Sequence, residues 1–163
     1  MQSPSAVNIR HTIASLLLLA VSAAHGASCS VTSLPALNFG NYDPYSAVHL
    51  DVATSGQVFC TRTSNVETVT VNIFLTTGGS GSYFPRQLRN GPSNTLNYNL
   101  YLDAARTTIF GQGPGTGSVG TTTTLRPSRP TLTVTTNIYG RIFAGQDPAV
   151  GTYTDTVVYT VNY

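Results

Sequence analysis

The sequence predicts an all-β protein, and three observations lead to this fold class. Apolar residues alternate with polar residues at period two in several short segments, which is typical of strands that bury one face. Clusters of Gly, Pro, Asn and Ser separate these segments, as turns do. Thr, Val and Tyr are abundant and favour strands, whereas no helical period follows residue 26. Short strands separated by turn signals predict a β-sandwich.

Residues 1–26 are expected to be a secretory signal peptide. Arg10 precedes an apolar run at residues 13–21, and small residues then lead to a cleavage motif at residues 24–26. A positive region, an apolar region and a small-residue site in this order are typical of an export signal. The apolar run is short for a membrane span. We therefore expect an exported chain of residues 27–163 that does not insert into a membrane.

An alternative for the N-terminus is a lipoprotein that is lipidated at Cys29. Such a cysteine directly follows the apolar region and usually has Leu at the position where this sequence has Gly26. The arrangement therefore favours the signal peptide.

The charge content excludes several classes of protein. Only 9% of the residues are charged, and the sequence contains no Lys. A basic surface for nucleic acid is therefore not expected. Because apolar, aromatic and β-branched residues are plentiful, low charge does not indicate disorder here. The expected length of 137 residues, from residue 27 to residue 163, suits one domain.

The two cysteines, Cys29 and Cys60, predict a disulfide bond. Both lie in the expected mature chain, and an even pair in an oxidising compartment forms a disulfide. The alternative is a pair of free or metal-bound thiols, but no His or Cys cluster supports a metal site. Cys60 shares one face of a predicted strand with Val58, and the opposite face carries Gln57 and Phe59.

Three later segments repeat the alternation. Their aligned apolar residues are Val69, Val71, Ile73 and Leu75 in residues 68–76, Leu96, Tyr98, Leu100 and Leu102 in residues 96–103, and Leu132 and Val134 in residues 131–135. Residues 78–82 and 90–93 carry the Gly, Pro, Asn and Ser of turns. Residues 111–130 are rich in Gly, Thr, Ser and Pro and predict a long surface loop.

Residues 152–163 form the strongest predicted strand, and they are the last residues of the chain. One face of this strand carries Tyr153, Val157, Tyr159, Val161 and Tyr163. A terminal amphipathic strand either pairs on both sides or leaves one edge free. Because an exposed apolar edge promotes aggregation, a free edge implies a dedicated partner strand.

Enzyme chemistry is not expected, and neither a catalytic residue, a metal site nor a cofactor is predicted. His49 is the one histidine of the expected mature chain, and a lone His in a polar loop is usually solvated. A Ser-His-Asp arrangement would require it, and the sequence lacks a G-x-S-x-G motif. The acidic residues are scattered over turns and strand ends, and zinc or EF-hand spacing is missing.

Eight segments together resemble the spore coat protein U domain, which is also the pilin domain of archaic (Csu-type) chaperone–usher pili. They run in order over nearly the whole expected mature chain. The segments are CSV at 29–31, LNFGNY at 37–42, GQVFC at 56–60, RNG at 89–91, LNYNLY at 96–101, DAART at 103–107, YGRI at 139–142 and GTYTDTV at 151–157.

The resemblance implies an incomplete immunoglobulin-like β-sandwich that is completed by a donated strand. It also implies that Cys29 and Cys60 join the first two strands. In such a family a periplasmic chaperone lends a strand to the subunit and delivers it to an outer-membrane usher. A neighbouring pilin or coat subunit then supplies the strand. The groove for this strand is expected at the apolar face of residues 152–163.

The expected cleavage after Gly26 departs from the pattern of a strand donor. Only Ala27 and Ser28 would precede Cys29, whereas a donor extension needs enough residues to make a strand. We therefore expect a subunit that accepts a strand but does not donate one, at a tip or capping position.

Several polar residues have two interpretations. Asp155 interrupts the apolar face of the last strand and is expected to satisfy a backbone N–H; the alternative is that it sets the register of an incoming strand. Arg86, Arg89, Arg126 and Arg129 are expected to be solvated, with an acidic surface glycan as the alternative ligand.

The function favoured by the sequence is that of a secreted structural subunit of a surface pilus or coat. It would pass through the periplasm and remain at the cell surface or outside the cell. The alternative is a stand-alone secreted adhesin or lectin-like module that binds through residues 111–130.

Overall fold

The computed structural model describes residues 26–163, which form eight strands joined by turns and loops. The expected signal peptide lies almost entirely outside the described residues. The strands are β1 (Ser28–Ser33), β2 (Leu50–Thr61), β3 (Glu67–Leu75), β4 (Arg86–Asn90), β5 (Asn94–Tyr101), β6 (Val119–Leu125), β7 (Thr131–Ile142) and β8 (Tyr159–Asn162). A short 3-10 turn, Gly78–Ser80, follows β3. Within residues 26–163, no helix is long and apolar enough to cross a membrane.

The strands form two antiparallel sheets. The first sheet has the order β1-β2-β7-β5-β4, and the second has the order β6-β3-β8. The longest pairing joins β2 and β7 over twelve residue pairs, from Leu50 with Ile142 to Thr61 with Thr131. The architecture is an all-β sandwich, as the sequence predicts.

The alternation of apolar and polar residues predicts the buried residues of these strands correctly. Val69, Val71, Ile73 and Leu75 are all buried in β3, whereas Thr68, Thr70 and Asn72 between them are exposed. The aligned residues of β5 and β7 are buried as well, namely Leu96, Tyr98, Leu100, Leu132 and Val134. The two sheets therefore enclose one apolar core between their inner faces.

The predicted disulfide is confirmed, since the sulfur atoms of Cys29 and Cys60 are bonded. The two residues are also direct partners in the pairing of β1 with β2. The bond therefore joins the first two strands, as the family resemblance implies.

The prediction of a long surface loop at residues 111–130 is wrong. Seven of these residues form β6, which pairs with β3 from Val119 to Leu125. The Thr run lacks apolar residues to signal a strand, yet Thr is a good strand former. Its hydroxyls pair across the strands, with Thr70 to Thr122 at 3.0 Å and Thr68 to Thr124 at 3.2 Å.

The prediction of one continuous strand over residues 152–163 is also wrong. Regular pairing is confined to β8, Tyr159–Asn162, and Thr154 instead exchanges two backbone hydrogen bonds with Arg89 of β4. The chain thus crosses from the edge of the first sheet to the second sheet. Pairing cannot continue through this crossing, because the two halves of the segment have partners in different sheets.

Residues 34–42 cross the inner face of the first sheet without joining it. Leu37 and Phe39 lie over Gly140 of β7, where a Cβ would come within 2.5 Å of Leu37 and 2.8 Å of Phe39. The Phe39 ring also packs edge-on against Tyr98, with ring centroids 5.9 Å apart. Within the described chain, no backbone–backbone hydrogen bond involves this segment.

Candidate strand-complementation groove

The C-terminal strand β8 has a free edge. It pairs with β3 from Tyr159 with Leu75 to Asn162 with Asn72, and within residues 26–163 it has no strand on its other side. An edge strand presents backbone N–H and C=O groups that an added strand can pair with.

The N-terminal strand β1 is an edge strand of the other sheet, and its end lies close to β8. Gly56 of β2 shows this proximity, because a Cβ there would lie 3.1 Å from Leu34 and 3.2 Å from the ring of Tyr159. Leu34 directly follows β1, and Tyr159 begins β8. The edges of both sheets therefore border the same side of the sandwich.

Inward-facing apolar side chains are incompletely covered at this side. Val58 of β2 is fully buried, and Val31 of β1 is its direct cross-strand partner. Such partners project from the same face of a sheet, yet Val31 is 46% exposed and Leu34 is 44% exposed. Among the described residues, the sandwich thus lacks a layer of side chains over β1.

Apolar side chains of β8 are incompletely covered as well. Val161 and Tyr159 lie opposite Ile73 and Leu75, which are buried, but Val161 and Tyr159 are only half-buried. Tyr163 is 61% exposed. We call the opening that is lined by Val31, Leu34, Tyr159, Val161 and Tyr163 the edge groove.

Tyr159 combines an apolar ring with a polar anchor. Its hydroxyl hydrogen-bonds with Thr136 Oγ1 of β7 at 3.2 Å, which ties β8 to the first sheet. Burial raises the pKa of the Tyr159 phenol above its ordinary value.

Two of the five residues predicted to line the groove precede β8. Tyr153 adjoins the bridge between Thr154 and Arg89, at the β4 edge of the first sheet, and its hydroxyl donates to Ala149 O at 2.8 Å. Val157 lies in the crossing segment and packs against the core. The structure therefore places Tyr159, Val161 and Tyr163 in or directly after β8, and Tyr153 and Val157 in the segment that leads into it.

Sequence reasoning missed Val31 and Leu34 as groove residues. A signal for Val31 was present, because it follows Cys29 by two residues and so shares its inward face. Leu34 lies beyond an irregularity in the pairing of β1, between Val31 and Ser33. Its position could therefore not be read from the alternation.

Asp155 satisfies a backbone N–H group, as expected from the sequence. Its carboxylate accepts hydrogen bonds from Gly79 N at 2.8 Å and from the Tyr98 hydroxyl at 2.7 Å. Burial, assisted by the Asp155 carboxylate, raises the pKa of the Tyr98 phenol. Asp155 thus anchors the segment that leads into β8.

Arg86 is completely buried, so the expectation that it is solvated is wrong. Its guanidinium donates to the Thr76 and Phe110 carbonyl oxygens and to Asn99 Oδ1 at 2.6 to 3.1 Å. These acceptors replace water, which makes burial possible. Burial lowers the pKa of Arg86 from its usual value. A signal was present, because Arg86 precedes the half-buried Leu88 by two residues.

Comparison with known proteins identifies relatives of this chain. The sequence model of the spore coat protein U domain family matches residues 15–160. Protein U of Myxococcus xanthus is 35% identical over 152 residues, which cover 85% of this chain and 79% of that protein.

The fold is similar to that of a solved structure. It is the pre-assembly complex of the chaperone CsuC with the tip adhesion subunit CsuE, from archaic chaperone–usher Csu pili of Acinetobacter baumannii. The match has a TM-score of 0.55 and 20% identity, and it covers 84% of this chain and 40% of the matched chain. The sandwich is therefore immunoglobulin-like, as in a Csu pilin. From the family match, the identity to Protein U and this fold, we conclude that the chain belongs to the spore coat protein U domain family.

Proposed function

We propose that this protein is a structural subunit of a bacterial surface pilus or coat, assembled by donor-strand complementation. One observation carries the proposal: Val31 is 46% exposed although its cross-strand partner Val58 is fully buried. An added strand between β1 and β8 would cover Val31 and pair with the free edge of β8. Backbone hydrogen bonds would supply affinity, and alternate side chains would fill the edge groove.

The proposed partners are a periplasmic chaperone, an outer-membrane usher and neighbouring pilin or coat subunits. The similarity to a protein solved in a chaperone–tip subunit complex supports the first of these. We propose that residues 1–26 direct export, that residues 27–163 form the sandwich, and that the subunit acts at the cell surface without enzymatic activity.

We further propose a tip or capping position for this subunit. The support is the expected cleavage after Gly26, which leaves two residues before Cys29. The test is N-terminal sequencing of the exported protein. A mature N-terminus near residue 12 would supply a donor segment and would exclude this position.

The proposal predicts that a donor peptide stabilises the isolated subunit. A suitable probe is a peptide of about nine residues in which Ile or Val alternates with Thr. At a concentration 100 times its Kd, the peptide should stabilise the fold by about 2.7 kcal/mol, which raises Tm by several degrees. A peptide with the same composition but without alternation is the control. An unchanged Tm with both peptides would instead favour the stand-alone adhesin.

Disulfide trapping tests where the peptide binds. Val161→Cys places a thiol on the inward side of β8, and a peptide with a central Cys should cross-link to it. Thr121→Cys on β6, the opposite edge strand of the same sheet, is the matched control. Equal cross-linking of both variants would contradict the proposed site.

A further inference from the structure

The turn between β6 and β7 holds two arginines side by side. Arg126 N donates to Arg129 O at 3.0 Å, and Arg129 N donates to Arg126 O at 2.9 Å. Directly opposite residues of an antiparallel pair project from the same face. Both arginines are exposed and line one open cleft of about 540 Å³ with Thr122, Thr123, Thr124 and Ser128.

Neither of these two arginines forms a salt bridge within the described chain. Both salt bridges of residues 26–163 belong to Asp51, which binds Arg106 and Arg141. The acidic residue closest in register to the turn is Glu67, opposite Leu125, and its carboxylate accepts from Thr63 N at 2.6 Å. Like charges in opposite positions destabilise a strand pair, so this arrangement does not serve folding.

A proline restricts the turn, and the cleft is rich in hydrogen-bonding groups. Pro127 occupies the second position of the turn, where its ring presets the backbone. The hydroxyls of Thr122 and Thr124 each pair with a hydroxyl of β3. Each pair uses one of its two hydroxyl hydrogens, so the other remains free to donate to a ligand.

A third arginine lies near the turn. Arg62 N donates to Pro130 O at 3.0 Å, which places Arg62 beside the start of β7. A second open cleft follows there, lined by Thr61, Arg62, Thr63, Ser64, Asn65, Pro130 and Thr131. The Arg62 guanidinium donates to the Ser64 and Asn65 carbonyl oxygens at 2.9 and 3.3 Å, so this arginine contributes positive charge near the turn while it is held by its own loop.

We propose that the Arg126–Arg129 turn binds an anionic polysaccharide through its carboxylates or sulfates. Paired guanidinium groups hold planar or tetrahedral oxyanions by bidentate hydrogen bonds, and the hydroxyl side chains match the hydroxyls of a sugar. The cleft has no apolar lining residue, whereas the centre of a protein interface is usually apolar. The site is separate from the edge groove and does not depend on strand complementation.

The test is a binding titration of the mature chain with polygalacturonate and with dextran sulfate. Neutral dextran, oligoglutamate and phosphatidylglycerol vesicles are the comparison ligands. We expect binding to at least one acidic polysaccharide, weakened by salt. Arg126→Gln or Arg129→Gln should raise Kd about tenfold or more, since each removes charge-assisted hydrogen bonds.

Matched variants distinguish the effect of the arginine geometry on binding from the effect of net charge. Arg89→Gln removes one exposed charge from β4 and should leave Kd within about twofold. Arg129→Lys keeps the charge but loses the bidentate geometry, so it should weaken binding. Unfolding curves of all variants verify that the fold is intact.

Four outcomes would overturn the proposal. They are no binding to either acidic polysaccharide, equal binding to neutral dextran, an equal loss of affinity in Arg89→Gln, or tighter binding to oligoglutamate or vesicles than to both polymers.

Discussion

At the scale of single residues, Arg86 shows how a charge is retained in the core. Its guanidinium lies 4.9 Å from the ring centroid of Tyr83 and donates to acceptors on three different segments. Within residues 26–163, no buried side-chain nitrogen or oxygen lacks a hydrogen-bond partner. The arginine thus satisfies carbonyl groups that would otherwise be buried without donors.

Replacing Arg86 by Ala should be strongly destabilising. The change leaves the Thr76 and Phe110 carbonyl oxygens without these donors and opens a cavity, at a cost of about 3 kcal/mol. Urea unfolding measures the loss. Arg89→Ala, on the exposed side of the same strand, should change the free energy of unfolding by less than about 0.5 kcal/mol. Similar losses for both variants would show that the buried hydrogen bonds contribute little.

Because Asp51 forms ion pairs, we expect the free energy of unfolding to decrease at acidic pH. Its carboxylate accepts from Arg141 Nε and Nη2, both at 2.8 Å. This hydrogen bonding, together with the charges of Arg106 and Arg141, lowers the pKa of Asp51 below 3.8.

Because the folded-state pKa of Asp51 is lowered, its stabilising contribution is present above pH 3.8 and is lost as the pH falls through the folded-state value. Wild type should therefore exceed Asp51→Asn in stability at pH 7, and the difference should shrink below the ordinary pKa. Urea unfolding of both proteins from pH 7 downwards measures this. A difference that is constant with pH would contradict the assignment.

At the scale of elements, β1 depends on its covalent link. It pairs only with β2 among the described strands, and most of its residues are exposed. The sequence predicted the bond between Cys29 and Cys60 from the cysteine count and the expected compartment. It could not show that β1 is an edge strand, because that depends on what lies beside it.

Removing the disulfide should destabilise the isolated subunit. The Cys29→Ser and Cys60→Ser double variant frees a loop with a sequence separation of 31, which should cost roughly 3–4 kcal/mol in the chain-entropy model. Thermal unfolding with and without a reducing agent measures this. Reductant should lower the Tm of wild type towards that of the variant, and an unaffected wild type would contradict the prediction.

In two other segments, the alternation of apolar residues does not match the observed strands. The Thr run of β6 has no apolar period because Thr fills both faces of this edge strand. Conversely, residues 152–163 have a strong period, but only Tyr159–Asn162 pair regularly. In both cases the available partner strand decides the structure, and a partner distant in sequence leaves no local signal.

At the scale of the whole molecule, the sandwich of residues 26–163 leaves apolar side chains exposed along one side. The edge groove exposes apolar side chains together with the free edge of β8, and such edges promote association between copies. Without a complementing strand, the purified subunit should therefore self-associate as its concentration rises.

A charge in the groove should suppress this association. Val31→Lys places a cation on the inward side of β1, where Val31 is already 46% exposed, so the cost to folding is small. Ser30→Lys, on the outward face of the same strand, is the matched control. Size-exclusion chromatography with light scattering should show a monomer for Val31→Lys and continued association for Ser30→Lys. Identical behaviour of the two variants would exclude the groove as the cause.

The sequence by itself determined the fold class, the core residues of β3, β5 and β7, and the disulfide, because alternation and cysteine pairing are local or compositional signals. It also carried the family resemblance. Only the tertiary structure decided that Val31 and Leu34 join Tyr159, Val161 and Tyr163 around one opening, and that Arg86 is buried. These features depend on which segments meet in the folded chain: β1 and β8 are more than a hundred positions apart, and the hydrogen-bond acceptors of Arg86 lie 10 to 24 positions from it.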